Sequence, residues 1–176
     1  MRIVGGSARG RTLRAVPGDS TRPTADRVRQ SLFDLLGQRM DGLRVLDLYA
    51  GTGALALEAL SRGALSATLI EKDPKAFAVL ERNASELGFV QACSFVRDDV
   101  LHALPRLRGT QFDLVFSDPP YALQAGQPVL DALRSNDLLA PGARVILEGD
   151  KRSPVPAGLP LQAEKKYGDT RVWVFS

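Results

Sequence analysis

The segment best suited to chemistry combines a carboxylate, two prolines and an aromatic ring: Asp118, Pro119, Pro120 and Tyr121. It follows an apolar run at residues 112–116, which one acid interrupts. Because proline fixes its own φ and has no N–H, the turn is stiff and leaves nearby carbonyl groups free. A carboxylate and a carbonyl can accept both N–H bonds of an exocyclic amine, and a tyrosine can stack on its ring. The segment therefore predicts recognition of adenine, cytosine or guanine.

A glycine-rich turn forms the second candidate site. Gly51 and Gly53 follow an apolar run and lead into a predicted helix, and position 56 is alanine, which completes the fingerprint G-x-G-x-x-G/A. Such glycines let the backbone turn tightly and approach a ligand. Glu71 lies twenty residues after Gly51, where a carboxylate can accept both hydroxyls of a ribose. This combination predicts a cofactor that contains a nucleoside.

The acids around this turn distinguish two classes of cofactor. A dinucleotide such as NAD needs its pyrophosphate at the helix N-terminus, whereas S-adenosylmethionine carries an ammonium and a sulfonium group and no phosphate. Asp47, four residues before Gly51, would repel a pyrophosphate and attract those cations. Asp98 and Asp99 add acid where an adenine would lie. The lining favours S-adenosylmethionine, and a role for Asp47 in capping the turn could coexist with binding.

The elements that position these residues alternate between strands and helices. We expect strands at 43–48, 67–70, 93–96, 112–116 and 144–147, and helices at 54–61, 75–87, 100–104 and 129–133. Such alternation predicts an α/β fold with a parallel, doubly wound sheet. Two further strands, at 161–166 and 171–175, are joined by a link too short for a parallel crossover, so we expect them to pair antiparallel.

The N-terminal quarter is basic. Short strands at 2–4 and 12–15 flank a glycine- and arginine-rich link and predict a hairpin, and a helix is expected from Thr24. Residues 1–44 contain nine arginines and four aspartates, whereas the rest of the chain carries fourteen basic and sixteen acidic side chains. Because guanidinium groups bind phosphate bidentately and stack on bases, a nucleic-acid partner is predicted, with a merely solvated basic face as the alternative. The candidate RNA-binding residues are Arg9, Arg11, Arg22, Arg27 and Arg29.

Bulk composition excludes several classes of protein. The 176 residues suit one globular domain, and 44% of them are hydrophobic, which is ordinary for a soluble fold. No apolar run approaches the roughly 20 residues of a membrane span, and no signal peptide follows Met1. A single cysteine, Cys93, excludes an internal disulfide and a multi-cysteine zinc site. We therefore predict a cytoplasmic protein without a metal centre.

Several motifs together resemble known methyltransferases. An acid before the glycine turn, acids after the second and third strands, and the Asp-Pro-Pro-Tyr segment are similar to class I S-adenosylmethionine-dependent methyltransferases, in which this segment marks methylation of a base amino group. A closer resemblance covers almost the whole chain: segments 2–11, 22–29, 47–53 and 167–170 resemble, in order, the bacterial RsmD-type small-subunit rRNA (guanine-N2)-methyltransferases. One small departure is Tyr121, where some relatives carry phenylalanine, which also stacks.

The resemblance implies an architecture and a partner. The fold would be a Rossmann-like sheet of seven strands, mostly parallel with the last strand antiparallel, preceded by a small hairpin and helix. Residues 1–41 would form an RNA-engaging extension, and residues 42–176 the methyltransferase domain. The partner would be rRNA in the small ribosomal subunit or in an assembly intermediate, and the chain would act as a monomer.

The resemblance also implies roles for individual residues. The implied cofactor-binding residues are Asp47, Tyr49, Gly51, Gly53, Glu71, Lys72 and Asp99. Asp47 and the two glycines would face the methionine part of the cofactor, and Glu71 would hold the ribose. Asp99, with Asp98 as its alternative, would neighbour the adenine amine. The implied catalytic residues, which would hold a flipped guanine, are Asp118, Pro119, Pro120 and Tyr121.

Three alternatives remain open at this point. A DNA or RNA adenine-N6 methyltransferase, or a cytosine-N4 enzyme, would share the Asp-Pro-Pro-Tyr segment, although the DNA enzymes usually need a sizeable target-recognition domain. A nucleic-acid-binding module with a vestigial cofactor fold is the second alternative, and an NAD oxidoreductase is the third. Titration with S-adenosylmethionine tests the second alternative, titration with NAD tests the third, and the identity of the methylated base tests the first.

Overall fold

A seven-stranded sheet forms the centre of the computed structural model, which describes residues 1–18, 24–120 and 123–176. The helices are α1 (Thr24–Leu36), α2 (Ala54–Ser61), α3 (Pro74–Leu87), α4 (Val100–Ala103) and α5 (Gly126–Ser135). The strands are β1 (Arg44–Leu48), β2 (Ser66–Ile70), β3 (Cys93–Val96), β4 (Phe112–Ser117), β5 (Leu139–Asp150), β6 (Leu161–Tyr167) and β7 (Thr170–Phe175). Short 3₁₀ turns span Val90–Ala92 and Leu104–Leu107.

The strand order is β3-β2-β1-β4-β5-β7-β6. The first five strands pair in parallel, and β7 lies antiparallel between β5 and β6. The order reverses between β1 and β4, and ligands of open α/β sheets bind at the carboxyl ends of strands near such a reversal. The structure confirms the predicted α/β fold, including the antiparallel last strand, and this reversal lies between the glycine turn and Asp118.

Apolar layers cover both faces of the sheet. Val45, Leu114 and Ile146 belong to one buried cluster, which helices α1 to α3 complete with residues such as Phe33 and Leu80. The alternate strand residues form a second cluster with α4 and α5. Strands buried on both faces are apolar at nearly every position, and they can therefore be recognised as continuous apolar runs in the sequence.

Two elements extend beyond their predicted limits by more than one residue. Strand β5 runs from Leu139 to Asp150, whereas the sequence pattern predicts only 144–147. Its two ends are stabilised by pairing, with β4 at Leu139 and with β7 at Asp150, and an isolated pattern does not contain that information. Helix α5 starts at Gly126 rather than 129, because the proline at 128 lies in the first turn, where it costs no hydrogen bond.

The N-terminal hairpin is minimal and is held against α2. The structure reduces the strands predicted at 2–4 and 12–15 to a single antiparallel bridge between Arg2 and Thr12. Glu58, fully buried on α2, accepts the backbone N–H groups of Val4 and Gly5. A Cβ at Gly6 would lie 1.9 Å from the carbonyl oxygen of Ser61, so only glycine fits there.

The extension shares a core with the sheet. Ile3 and Leu13 of the hairpin and Phe33 of α1 belong to the same buried cluster as Leu57 of α2. A division into residues 1–41 and 42–176 stays a prediction about how the chain is organised. Among the helices of the described ranges, none combines the length and the apolar character that a bilayer crossing requires.

Candidate active site

Two cavities lie at the carboxyl edge of the sheet. The larger cavity has a volume of about 880 Å³, which is typical of small-molecule sites. It is lined by Tyr49, Gly51, Ile70, Glu71, Lys72, Asp73, Pro74, Asp98, Asp99, Val100, Asp118, Pro119, Pro120 and Leu123. The structure thus brings seven predicted cofactor or catalytic side chains together with Gly51 and Asp98, although they come from four different strand ends.

The glycine turn between β1 and α2 forms one wall. Tyr49, Gly51 and Gly53 all have positive φ, so the chain turns sharply where it passes the cavity. A Cβ at Gly53 would lie 2.4 Å from Cδ1 of Leu80 on α3, whereas a Cβ at Gly51 would have only Tyr49 O at 4.0 Å. Gly53 is therefore required for helix packing, and Gly51 is the glycine that leaves open space beside the cavity.

Glu71 connects the ends of two strands. One carboxylate oxygen accepts the backbone N–H of Gly51 at 2.8 Å, and the other accepts that of Asp73 at 2.8 Å. A carboxylate offers about four lone-pair sites, so each oxygen can still accept another hydrogen bond. Glu71 fixes the shape of the turn and retains capacity for a ligand's hydroxyl groups.

Asp47 lies beneath the turn and does not line the larger cavity. Its side chain is 2% exposed and accepts the backbone N–H of Ala56 at 3.1 Å. This bond satisfies a free N–H in the first turn of α2, where the capping residue, Gly53, has no side chain to do so. Burial, together with the negative charges of Asp118 and Glu71, raises the pKa of Asp47 well above its usual range. The structure gives Asp47 the capping role, and direct contact with a cofactor stays a prediction.

The two neighbouring aspartates after β3 have different partners. One carboxylate oxygen of Asp98 is hydrogen-bonded to Nδ1 of His102 at 2.7 Å and to the guanidinium of Arg106 at 2.6 Å. The hydrogen bond with His102 lowers the pKa of Asp98. Asp99 caps α4 through one oxygen, which accepts the backbone N–H of His102 at 3.2 Å. The second oxygen of Asp99 has no contact of this kind in the described structure. Asp99 is therefore better placed than Asp98 to accept a ligand's amine.

The turn after β4 separates the two cavities. Pro119 and Pro120 line both the larger cavity and a smaller one, which has a volume of about 350 Å³. The smaller cavity is lined by Pro119, Pro120, Gln124, Ala125, Gly126, Gln127, Glu148, Gly149, Asp150, Ser153, Pro154, Val155, Pro156 and Trp173. Tyr121, the predicted stacking residue, lies outside the described residues.

Asp118 forms a hydrogen-bonded pair with Glu148, at the end of the neighbouring strand β5. Water in the larger cavity reaches Asp118, but the protein walls around it remove part of its hydration and raise its pKa. Burial and the charge of Asp118 raise the pKa of Glu148 well above its usual range. Glu148 is not among the residues predicted from the sequence, because the predicted strand ends at Leu147, one residue before it. Its position at the carboxyl end of a parallel strand was the available signal.

The predicted basic residues differ in exposure. Arg9 and Arg27 are exposed, and Arg11 is exposed while donating a hydrogen bond to the carbonyl of Glu86. Arg29, by contrast, is 4% exposed and pairs with Glu58 and Asp26. This burial corrects the expectation that Arg29 belongs to an open basic surface, because its guanidinium instead joins α1 to α2. Arg22 lies outside the described residues.

The electrostatics of the larger cavity favour a cationic ligand. Among the described residues that line it, five are acidic and only Lys72 is basic. Burial and the nearby charge of Asp99 also raise the pKa of Tyr49, so its phenol stays neutral. A pyrophosphate would meet these carboxylates unfavourably, whereas an ammonium or a sulfonium group would be attracted. The donors and acceptors present therefore fit a nucleoside that carries positive charge.

Comparisons with known proteins extend over the whole chain. The family model described as Conserved hypothetical protein 95 matches residues 1–176. The Bacillus subtilis protein YlbH is 36% identical over 181 residues, covering 99% of this chain and 98% of its own. A protein of Escherichia coli strain K12, named ribosomal RNA small subunit methyltransferase D, is 37% identical over 171 residues, covering 96% of this chain and 85% of its own.

A solved structure has the same fold. The Escherichia coli protein yhhF superimposes with a TM-score of 0.87 at 38% sequence identity, and the match covers 99% of this chain and 96% of that one. The strands, the glycine turn and the Asp118 turn therefore belong to an architecture that is shared over nearly the full length of both chains.

Proposed function

We propose, from the premise that this chain belongs to the RsmD family described as Conserved hypothetical protein 95, that it methylates small-subunit (16S) rRNA. The reaction is transfer of a methyl group from S-adenosylmethionine to the exocyclic N2 amine of one guanine. The observation that carries this proposal is the shared wall: Pro119 and Pro120 line both cavities, and Asp118 lines the larger one. A cofactor in the larger cavity and a base beside the smaller one would meet at this turn.

The larger cavity holds the cofactor in this proposal. When bound, S-adenosylmethionine supplies an electrophilic methyl group on a positively charged sulfur. Glu71 accepts the ribose hydroxyls through its remaining lone pairs, and the free oxygen of Asp99 accepts the adenine amine. Tyr49, Gly51 and Lys72 line the same space. Asp47 and Gly53 act from behind the turn, by fixing its shape.

Asp118 and the carbonyl of Pro119 hold the acceptor amine. An exocyclic guanine amine is a weak nucleophile, because its lone pair is conjugated with the ring. Accepting both N–H bonds directs electron density to nitrogen and stabilises the positive charge that develops on it. Aligning the amine nitrogen with the methyl carbon and the sulfur can contribute about 7–11 kcal/mol. Asp118 is also the group placed to take the departing proton.

The N-terminal extension engages the RNA in this proposal. Arg9, Arg11 and Arg27 present guanidinium groups to solvent, which suits phosphate contacts. The target base must leave its stack, as for other enzymes that modify base atoms, and Tyr121 and Arg22 keep their predicted roles from sequence position. We further propose that the chain acts as a monomer in the cytoplasm, on the small subunit or an assembly intermediate.

Methyl transfer to undermethylated small ribosomal subunits tests this function. Labelled S-adenosylmethionine is supplied, the RNA is digested, and the nucleosides are identified by mass spectrometry. N2-methylguanosine at one site is the expected product. Label in N6-methyladenosine alone would replace guanine by adenine as the substrate. Absence of both label and S-adenosylmethionine binding would favour a nucleic-acid-binding module with a vestigial cofactor fold, and binding of NAD instead would favour an oxidoreductase.

A further inference from the structure

Glu148 and Asp118 lie side by side because of the register between β4 and β5. The two strands are parallel, and Ser117 pairs with Leu147. The next residue on each strand therefore reaches the same edge of the sheet, and the two carboxyl groups form a hydrogen bond there. Asp118 faces the larger cavity, whereas Glu148 lines the smaller one. The pair thus spans the turn at which the cofactor and the base would meet.

A hydrogen bond between two carboxyl groups requires one proton. Ionised carboxylates are acceptors only, so one member of the pair must be protonated to donate. Burial, the charge of Asp118, the hydrogen bond with Asp118 and the charge of Asp47 all raise the pKa of Glu148 well above its usual range. The hydrogen bond from Glu148 opposes the effect of burial on Asp118 and favours its ionised form. Asp118 is also exposed to the larger cavity, whereas Glu148 is half-buried, and burial favours the neutral form of a carboxyl group. We therefore assign Glu148 as the donor and Asp118 as the carboxylate.

The other charged groups near Glu148 are consistent with its protonated form. Asp118 acts on it from the end of β4, and Asp47 acts from β1. The cation on the adjacent strand β7, Arg171, is directed to Glu164 and to carbonyl groups of the loop after β5. In the described structure, the neighbour on its own strand, Asp150, accepts the backbone N–H of Arg152. The acids that act on Glu148 favour its neutral form, and the nearby cation is engaged elsewhere.

We propose that Glu148 positions Asp118 for the methyl acceptor, by donating its carboxyl O–H to one oxygen of Asp118 and leaving the other oxygen for the substrate amine. This inference rests on the proposed function, and it assigns a positioning residue to the same site. Without the donor, the Asp118 carboxylate can rotate about its side chain, and fewer of its conformations present an oxygen to the amine. Above the pKa of Glu148, two adjacent carboxylates repel each other and have the same effect.

Two substitutions at position 148 test the proposal by kinetics. Glu148→Ala removes the donor and should lower kcat by about 10-fold or more, the scale of one hydrogen bond to a charged group, while the Kd of S-adenosylmethionine changes less than about twofold. Glu148→Gln keeps an N–H donor without a titrating proton. It should retain kcat within about threefold and lose the alkaline fall of kcat that deprotonation of Glu148 causes. Glu81→Gln, at an exposed position on α3, is the matched control and should behave as the original chain.

Three kinetic outcomes would overturn the proposal. The first is a Glu148→Ala protein that keeps the original kcat. The second is a folded Glu148→Gln protein that is as impaired as Glu148→Ala, because the donor would then not be the feature that matters. An unchanged alkaline limb in Glu148→Gln would likewise show that Glu148 does not titrate in the reaction.

A titration without substrate separates this inference from the proposed function. In protein labelled with ¹³C at the glutamate carboxyl carbons, one signal should titrate well above the ordinary value of about 4.3. That signal should be absent from Glu148→Gln and should titrate at lower pH in Asp118→Asn, since the neighbouring charge is gone. Ordinary titration of every glutamate would refute the hydrogen-bonded pair even if the enzyme methylates RNA. A raised value in a protein that methylates no RNA would support the pair and reject the proposed function.

Discussion

The carboxylate of Glu71 accepts the backbone N–H of Gly51 at 2.8 Å, so the end of β2 holds the glycine turn that follows β1. Its second oxygen accepts the N–H of Asp73, just before α3 begins. One side chain thus fixes two backbone segments that border the larger cavity. Glu71 is proposed to hold the ribose, and it also shapes the cavity wall. A test of Glu71 must therefore separate loss of ligand contacts from a change in the shape of the turn.

Replacement of Glu71 is expected to weaken binding of S-adenosylmethionine. Glu71→Ala removes acceptors for the ribose and should raise Kd by about 10-fold or more, as expected for hydrogen bonds to a charged group. Glu71→Gln keeps one oxygen acceptor for a backbone N–H and should have a smaller effect. Isothermal titration calorimetry measures both, with Glu81→Ala as the control at an exposed site. An unchanged Kd in Glu71→Ala would remove Glu71 from the cofactor site.

Replacement of Asp118 is expected to abolish transfer and spare cofactor binding. Asp118→Ala deletes the acceptor for the substrate amine, so the rate of methyl transfer should fall by about 100-fold or more. The Kd of S-adenosylmethionine should stay within a few-fold, because the ribose and adenine acceptors remain. Single-turnover transfer to small subunits and calorimetry provide the two values. Asp131→Ala, on the exposed face of α5, is the control, and near-normal turnover in Asp118→Ala would contradict the assigned role.

The buried acid Asp47 is expected to make stability depend on pH. Because its pKa is raised in the folded state, the folded protein binds more protons than the unfolded chain above the unfolded value of about 3.9. The free energy of unfolding should therefore fall as pH rises from that value through the raised pKa. Asp47→Asn keeps an acceptor for the N–H of Ala56 and cannot ionise, so its melting temperature should fall less between pH 5 and pH 8. Equal slopes in the two proteins, measured by circular dichroism, would contradict burial of an ionisable Asp47; Asp131→Asn is the control.

A methyl group at Gly53 is expected to destabilise the fold. The Cβ of Gly53→Ala would lie 2.4 Å from Leu80, and overpacking of this kind costs about 1–3 kcal/mol in addition to the strain of a positive φ. Gly88→Ala has a similar φ and no atom within 4 Å of its Cβ, so it carries the strain alone. Urea unfolding of both variants isolates the packing cost as their difference. Equal losses of stability would mean that α3 moves away from the turn without penalty.

Exposed arginines of the extension are expected to set the salt dependence of RNA binding. Arg9→Ala and Arg27→Ala should each weaken binding and reduce the slope of log K against log salt by about 0.7–0.9, one lost phosphate contact. Filter binding or fluorescence anisotropy at several salt concentrations gives the slope. Arg134→Ala, on the exposed surface of α5, is the matched control. A slope that does not change in the first two variants would make the basic face a merely solvated surface.

The sequence by itself determined the elements and most of the candidate site. Strands buried on both faces are apolar at nearly every position, so β1, β2 and β4 could be predicted to within a few residues of their bounds. The glycine turn, Glu71, Asp99 and the Asp118 segment were found because each follows a strand, and parallel strands bring such residues to one edge. Local sequence pattern and topology rules together are sufficient to locate a site that is built at the carboxyl ends of parallel strands.

Only the tertiary structure decided which partner each charged side chain has, and therefore which of them are structural and which are free to meet a ligand. Asp47 is a buried cap, Arg29 is a buried link to Glu58, and Asp98 is engaged by His102 and Arg106. Glu148 joins the site through a hydrogen bond to Asp118 across two strands, thirty residues apart in the chain. Charge, burial and hydrogen bonding depend on which side chains meet in space, and a one-dimensional pattern gives residue types without those partners.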